Sequence, residues 1–575
     1  AQRPRPRASR LRRLRGAAAP GDAPEEAEED WFTQGLSFLT GLFGSFFALF
    51  NATKEGASPA RPARIVQQLG SAPTDQANNE PLYSLGAFPP PTEASDLRRP
   101  GRHFTVVTTA AVPWLTGPAT NAVLRAVYLA RRKQSVLLVM PWIEREDQDM
   151  LFTTEDRFDT REEQEAYIVE WCKRRAGVDL AKLPIRLHWY EARFVKQVRS
   201  IFPLGDVSTQ LAPDTPRDVL ILEEPEHLCW YHNGQRWPEL FKHVVGIVHT
   251  NYRVYLAAMG YDGFLGAPTV RDSIFFSFTS LVCSAYCDVT IKLSAAGVSL
   301  PNEVTCNVHG VRDEFLRIGS KAHAQQRRGA AEEAAVYFLG KAVFPKGWRQ
   351  LLDLLRSGAL GDAGDVRIDG YGGGPDWDAI REEAEGLGDG RRLRVMSWLY
   401  HSDPKIHGYR VLVNPSTSDI LCTVTAEAIA MRKRVVLARH PSNQFFQEHF
   451  PGQCHFFEPD DPASFAAALR EAIAQEATPE LTEQQRQLLS WDAAVDRLCD
   501  AAEVRVLSGE FSRPSSLASA RTAYKVHHGL QNDAPMLSNL LKKATQKDSE
   551  ITPWKEYLDR FRQTDAGRWL VKGSQ

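Results

Sequence analysis

Four charged residues in the second half of the chain have the types and spacing that group-transfer chemistry needs. Lys341 and Lys346 stand in GKAVFPKG, flanked by Gly340 and Gly347, where the Ala335–Leu339 run reads as a strand and a helical pattern follows. Two cations at a strand end can hold a diphosphate, because a lysine is a compact point charge. Asp419 and Glu427 stand in NPSTSDILCTVTAEAIAM with seven residues between them. A helix N-terminus offers unbonded amides to phosphate, and a carboxylate beside it can accept hydrogen bonds from sugar hydroxyls. Pyrophosphate and sugar together point to a nucleotide-sugar site. A solvated lysine loop and an ordinary acidic helix start account for the same residues, and at this level both readings stand.

The elements that must hold these residues can be read from periodicity. Val411–Val413 is a short apolar run stopped by Asn414-Pro415-Ser416; Thr425–Met431 holds helix formers; Arg434–Ala438 returns to β-branched residues. That pattern puts Glu427 in the first turn of a helix and Asp419 in the loop before it. Val366–Asp369 leads into a Gly-rich turn, GYGGGPDWD, where Asp376 and Asp378 read as a metal-binding pair or as acids at a helix start. Leu393–Trp398 reads as a further strand, and Ser464–Glu471 and Leu481–Ala501 as amphipathic helices.

The first half repeats the strand–turn–helix theme. His103–Thr109 is a β-branched run, followed by AAVPWLTGPATNAVLRAVYLARRK. There Thr116 and Gly117 precede a helix expected from about Ala119, whose N-terminus could face a phosphate. Ser135–Met140, Asp218–Leu222, Val244–Val248, Thr290–Ser294 and Thr305–Val311 read as strands. EEPEHLCWYHNGQRW after the second and His249 after the third sit at strand ends, where open α/β sheets bind ligands. His249 reads as a substrate contact or a structural histidine. In Ile185–Ser200, basic residues interleave with Trp189, Tyr190 and Phe194, which suits an anionic membrane surface or a partly solvated edge.

The composition fits a soluble globular fold: 575 residues, 43% hydrophobic and 24% charged, with a net charge of −2 that argues against nucleic acid as a partner. The eight cysteines lack a zinc-site spacing and read as buried thiols in a reducing compartment. The expected organisation is a tail with an apolar segment (1–56), a linker (57–100), two α/β domains (101–325 and 326–510) and an extension (511–575). Within the tail, seven arginines precede Gly16, as in part of a transit peptide or a basic disordered tail, and six acids follow between Asp22 and Asp30. Trp31–Thr53 carries no charge and is long enough to span a bilayer or lie in its interface. A cleaved targeting segment or a helix packed on the protein are the other readings.

Two such halves resemble a GT-B glycosyltransferase: two Rossmann-like doubly wound domains facing a cleft. GKAVFPKG, GYGGGP and the acid–seven residues–acid pattern resemble the retaining glycosyltransferase family four. PWLTGPA, LEEPEHLCWYHNGQRW, GIVHTNY, CNVHGV and HPSNQFF extend the likeness, from Val106 to about Val504, to the plastid digalactosyldiacylglycerol synthases within it. The resemblance implies transfer of galactose from UDP-galactose to monogalactosyldiacylglycerol, with retention, without cofactor or metal, at a lipid surface of the plastid envelope, expected to be its outer membrane. It implies Lys341 and Lys346 on the diphosphate, backbone donors around Thr116 and Gly117, Glu427 on ribose, Asp419 on galactose, and His249 near the reacting carbon. Asp419 replaces the general family's Glu, as in the lipid galactosyltransferases. Arg432 stands where a helix-ending Gly is common, so a differently built helix end is expected. Another UDP-sugar or acceptor, or an inactive lipid-binding scaffold, are the rival readings.

Overall fold

The computed structural model describes residues 96–528, apart from 115, 153–155, 196–199, 230–231, 233, 252–278, 297–299, 301–302, 327–335, 359–365, 388–392, 508–519 and 526. The expected tail and apolar segment, all but the end of the linker, and most of the 511–575 extension therefore lie outside the described residues.

Strands rich in Val, Ile and Leu on both faces can be stable only where both faces are covered, which favours parallel sheets under helices. Two such sheets form. The first runs β1 (His103–Val107), β2 (Ser135–Trp142), β3 (Ile185–Val195), β4 (Ser200–Pro203), β5 (Val219–Glu223), β6 (His243–Val248), β7 (Val289–Lys292) and β8 (Glu303–Thr305), in the order β4-β3-β2-β1-β5-β6-β7-β8. Only the β3–β4 pair is antiparallel. The second contains β9 (Val336–Leu339), β10 (Ile368–Gly372), β11 (Leu393–Ser397), β12 (Val411–Asn414), β13 (Arg434–Ala438) and β14 (Cys454–Phe457), in the order β11-β10-β9-β12-β13-β14. This is the doubly wound order, in which the chain reverses direction across the sheet once. The reversals fall between β1 and β5 and between β9 and β12. The expected pair of Rossmann-like α/β domains is present.

The helices used below are α1 (Gly117–Arg131), α2 (Asp313–Gln326), α3 (Trp348–Arg356), α4 (Thr423–Ala430) and α5 (Trp491–Leu507). α1 starts two residues before the expected Ala119, with a proline in its first turn, where the missing N–H costs nothing. α4 starts at Thr423, so Glu427 lies in its second turn rather than the first. β8 stops at Thr305 instead of continuing to Val311, because Asn307 turns the chain by accepting from the His309 amide at 2.9 Å.

Two expectations about side chains are overturned. In β3, Trp189 and Tyr190 do not reach a membrane surface. Both are buried, with Trp189 Nε1 donating to Gln164 at 2.9 Å and the Tyr190 hydroxyl to the Thr108 carbonyl at 2.9 Å. In the segment after β5, Glu223, Glu224, Glu226, His227, His232 and Trp237 are buried rather than ligand-facing. Glu224 accepts from Thr109 at 2.7 Å and His232 bonds the Gln235 carbonyl at 2.8 Å, whereas both Glu226 carboxyl oxygens are buried without a hydrogen-bond partner and burial pushes that carboxyl's pKa well up.

α5, placed by its sequence in the second domain, packs into the first. Trp491 is fully buried, stacks on Tyr128 of α1 with centroids 6.0 Å apart, and lies under the Arg125 guanidinium at 5.7 Å. Val495, Leu498 and Cys499 continue that seam within the first core. A buried Trp contributes by area and by packing, so Trp491→Ala is expected to cost about 3–5 kcal/mol. Urea unfolding of the full chain measures it; a loss below about 1 kcal/mol would contradict the packing.

Candidate active site

Parallel strands in a doubly wound sheet leave a crevice at their C-terminal ends where the order reverses. In the second sheet the two strands flanking that point are β9 and β12. The loop after β9 carries Lys341 and Lys346; the loop after β12 carries Asp419. Lys346 Nζ bonds Asp419 Oδ1, joining positions 73 apart in sequence. Both are partly shielded, Lys346 at 31% and Asp419 at 11% exposure, so each compensates the other's charge.

Short-range geometry brings the loops together. Gly347 has φ +96°, and a Cβ there would meet the Ser416 backbone nitrogen and Cβ at 3.3 Å. The Ser418 hydroxyl donates to the Pro345 carbonyl at 2.5 Å, stitching the loops directly. Asn414 accepts from the Ser416 amide at 3.2 Å and donates to Thr425 of α4 at 3.1 Å, which fixes the turn that Pro415 begins. Asp376 accepts from the Phe344 amide at 3.1 Å, so this acid braces the lysine loop, while Asp378 is 87% exposed beside Arg381.

The sequence did not reveal the partner of Glu427. His401, in the loop after β11, bonds it through Nδ1 at 2.7 Å, and the Tyr337 hydroxyl bonds His401 Nε2 at 2.7 Å. Burial lowers the His401 pKa against the pull of Glu427, and raises that of Tyr337 well above its ordinary value. A neutral His401 therefore donates from Nδ1 to Glu427 and accepts the Tyr337 proton on Nε2. Beneath it, the buried Lys433 donates to the Ile406 carbonyl at 2.8 Å and the Tyr409 carbonyl at 2.5 Å, its pKa pushed down to about 7 by burial.

The end of α4 keeps the left-handed geometry. Arg432 has φ +60°, and the Lys433 amide returns to the Ala428 carbonyl at 2.9 Å, as in a glycine-closed helix. The expectation of a different build is corrected: Arg432 adopts the strained conformation and its guanidinium bonds the Thr478 carbonyl at 2.7 Å.

In the first domain, the predicted residues gather at the other reversal point. Thr116 and Gly117 lead from the β1 loop into α1, and the first amides of a helix have no partner within it. A Cβ at Gly117 would meet only Asn121, so space does not demand glycine there. Asn121 contacts His309 at 3.4 Å, and His309 faces His249 with ring centroids 4.9 Å apart. His249 Nε2 bonds Glu223.

Three contacts join the two groups. Lys341 Nζ lies 5.5 Å from the Trp114 ring centroid, the Ser294 hydroxyl donates to the Ile420 carbonyl, and the Arg175 guanidinium sits 3.5 Å from the Tyr400 ring centroid. The structure thus brings Lys346 to Asp419, and His249 to the end of α1 through Asn121 and His309. Glu427 is bonded to a residue outside the predicted set.

The family described as glycosyl transferases group 1 matches residues 333–475, the second sheet with its lysine and acid loops. Digalactosyldiacylglycerol synthase 2 (chloroplastic) of Glycine max is 39% identical over 418 residues, covering 72% of this chain and 86% of that protein. The chain belongs to the digalactosyldiacylglycerol synthase family. Digalactosyldiacylglycerol synthase 1 of the same plant is 43% identical over 412 residues, covering 71% of this chain and 50% of that one. The chain thus spans about half the length of the synthase 1 relatives it matches. Among solved structures, TarM is 10% identical, with 74% of this chain and 98% of that one covered and a TM-score of 0.43.

Gly347 offers a direct test of the loop geometry. Gly347→Ala combines a left-handed φ with close approach to Ser416, and is expected to cost about 1–3 kcal/mol. Chemical denaturation checks it, and an unchanged midpoint would show that the lysine and acid loops do not need their present separation.

Proposed function

We propose that the chain transfers galactose from UDP-galactose to monogalactosyldiacylglycerol, with retention at the sugar carbon, at the plastid envelope. The observation that carries this reading is the meeting of Lys346 and Asp419 at the reversal point of the second sheet. In a nucleotide sugar the diphosphate and the hexose are neighbours, so a cation and a carboxylate in contact suit the two halves of one donor. Glu427, set by His401, takes the ribose hydroxyls; Asp419 takes galactose; Lys341 and Lys346 take the diphosphate; the amides near Thr116 and Gly117 add donors to it. The relatives' names supply the lipid acceptor and the chloroplast location.

The chemistry follows from where charge develops. The bond between the galactose anomeric carbon and the diphosphate oxygen breaks, and negative charge accumulates on the departing UDP. Lysines fixed beside it stabilise that state more than the ground state, which is what accelerates a reaction. Retention without a carboxylate nucleophile requires the acceptor hydroxyl to attack from the leaving-group face, its proton passing to the departing phosphate oxygen. His249 stands at the acceptor side of the reacting carbon. No metal enters this scheme, since the lysines neutralise the phosphates.

Incubating the purified chain with UDP-galactose and monogalactosyldiacylglycerol in mixed micelles, and reading the product linkage by NMR, tests the proposal. An α-linked digalactolipid is expected; no product, or preference for UDP-glucose in competition, would overturn it. Lys346→Ala is expected to lower kcat by on the order of 10²-fold or more at saturating donor. Unchanged turnover would remove the lysine from that role. Among the described residues no helix is long and apolar enough to cross a membrane. We assign membrane attachment to Trp31–Thr53, at the outer envelope membrane, and expect the full chain to stay with carbonate-washed membranes.

A further inference from the structure

His249 is held by a buried ion pair that no local motif connects with it. Glu223 ends β5 and Arg125 lies on α1; both side chains are fully buried. Arg125 Nε donates to Glu223 Oε1 at 2.6 Å, and its Nη1 donates to the Val308 carbonyl at 2.9 Å. The second oxygen of Glu223 is left for His249 Nε2. We propose that Glu223, backed by Arg125, is a positioning residue that fixes the His249 ring so that Nδ1 presents a lone pair to a substrate hydroxyl. The proposal rests on the reading of the cleft as a glycosyl-transfer site.

The argument is one of proton inventory. Burial would keep the Glu223 carboxyl neutral, but the Arg125 guanidinium beside it and the hydrogen bonds it accepts from His249 and Arg125 outweigh burial and bring its pKa to about 2. An ionised carboxylate can only accept, so the proton between the two groups belongs to His249 Nε2. In a neutral imidazole the other nitrogen is then bare. Among the described residues, none hydrogen-bonds His249 Nδ1. The other groups facing the ring do not compete for this task. His309 packs against it from the loop after β8, and burial, with the Arg125 and Arg497 guanidinium groups nearby, holds the His309 pKa well below its ordinary value. Arg125 reaches the ring only through Glu223, and Arg497 of α5 is bonded to the His309 carbonyl at 3.2 Å and the Asn307 carbonyl at 2.6 Å. A carboxylate that dictates the tautomer and angle of a histidine is the same device that orients the base in hydrolase triads, here built from three different elements.

Glu223→Gln in the full chain tests this. A neutral amide can donate to Nε2 or accept from it, so the ring loses its fixed tautomer while the shape is kept. The expected result is a fall in kcat on the order of 10²-fold, with KM for UDP-galactose within about twofold of wild type. Nitrogen-15 spectra of histidine-labelled protein should change the His249 signals from one tautomer to a mixture. Because Glu223→Gln leaves Arg125 buried without its counter-charge, the double variant Arg125→Met/Glu223→Gln is the control for folding. It removes the pair together and should show the same loss in kcat. Wild-type kcat in either folded variant, alongside an inactive His249→Ala, would overturn the role of Glu223 and leave that of His249 standing. A fully active His249→Ala would instead overturn the reading on which the proposal rests.

Discussion

The constraint on which the structure depends is the single reversal in strand order of each sheet. Parallel strands direct all their C-terminal loops to one side, and the reversal parts two adjacent loops so that a gap opens between them. In the second sheet the gap lies between the loops after β9 and β12, and Lys346 and Asp419 meet across it. In the first it lies between the loops after β1 and β5, which carry Gly117 and Glu224, with His249 one strand further on. Lys346, Asp419, Gly117 and Glu224 are placed by these two gaps. The helices cover the sheets, and their sequence matters mainly through what they bury: α3, for example, turns Trp348, Leu351, Leu352, Leu354 and Leu355 inward.

Within that frame each of three carboxylates is met by a side-chain donor rather than solvated singly. Arg125 with Glu223, Lys346 with Asp419, and His401 with Glu427 each place a donor against a carboxylate in a shielded setting. Removing one member of the Arg125–Glu223 or Lys346–Asp419 ion pair costs more than the pair contributes, because the remaining charge is stranded in low dielectric. The same reasoning separates the three. The Arg125–Glu223 pair is sealed from solvent and can only orient. The other two keep partial exposure, so a ligand's phosphates or hydroxyls can join or displace the existing bonds.

The sequence was informative where a motif is local and uninformative where a contact spans the fold. GKAVFPKG and NPSTSD were legible because glycine, proline and lysine at fixed spacing have few structural uses, and the strands between them announced themselves as apolar β-branched runs. His401 was not legible: a lone histidine after β11 has no periodic partner, and its bond to Glu427 on α4 spans a sheet in which β10 and β9 separate β11 from β12. Glu223 and Arg125, 98 positions apart, were hidden for the same reason. Trp189 and Tyr190 misled because interleaved basic and aromatic residues look the same on a membrane-facing strand and on one whose aromatics point into a core. Arg432 misled in the other direction. Its strained φ is held by the bond to Thr478, a residue whose proximity no local rule foretells.

The two domains are not independent modules that happen to face each other. Ile420, the residue after Asp419, is 3% exposed and packs in the core of the first domain, although the loop that carries it follows a strand of the second sheet. Its carbonyl accepts from Ser294, just beyond β7. α5 likewise leaves the second domain to fill the first, and Val311 at the start of the crossing bonds the Leu489 carbonyl at 2.7 Å on the return. Asp419 is therefore fixed by Lys346 on one side and by a neighbour anchored in the opposite domain on the other. A change in the angle between the domains must either move Asp419 relative to Lys346 or pull Ile420 from its site. Burying a whole isoleucine side chain is worth roughly 1.5–3 kcal/mol, so the second course is costly. The meeting of Lys346 and Asp419 is thus set jointly by both domains, and a substitution at Ser294 or Ile420 acts on it as much as one at Lys346.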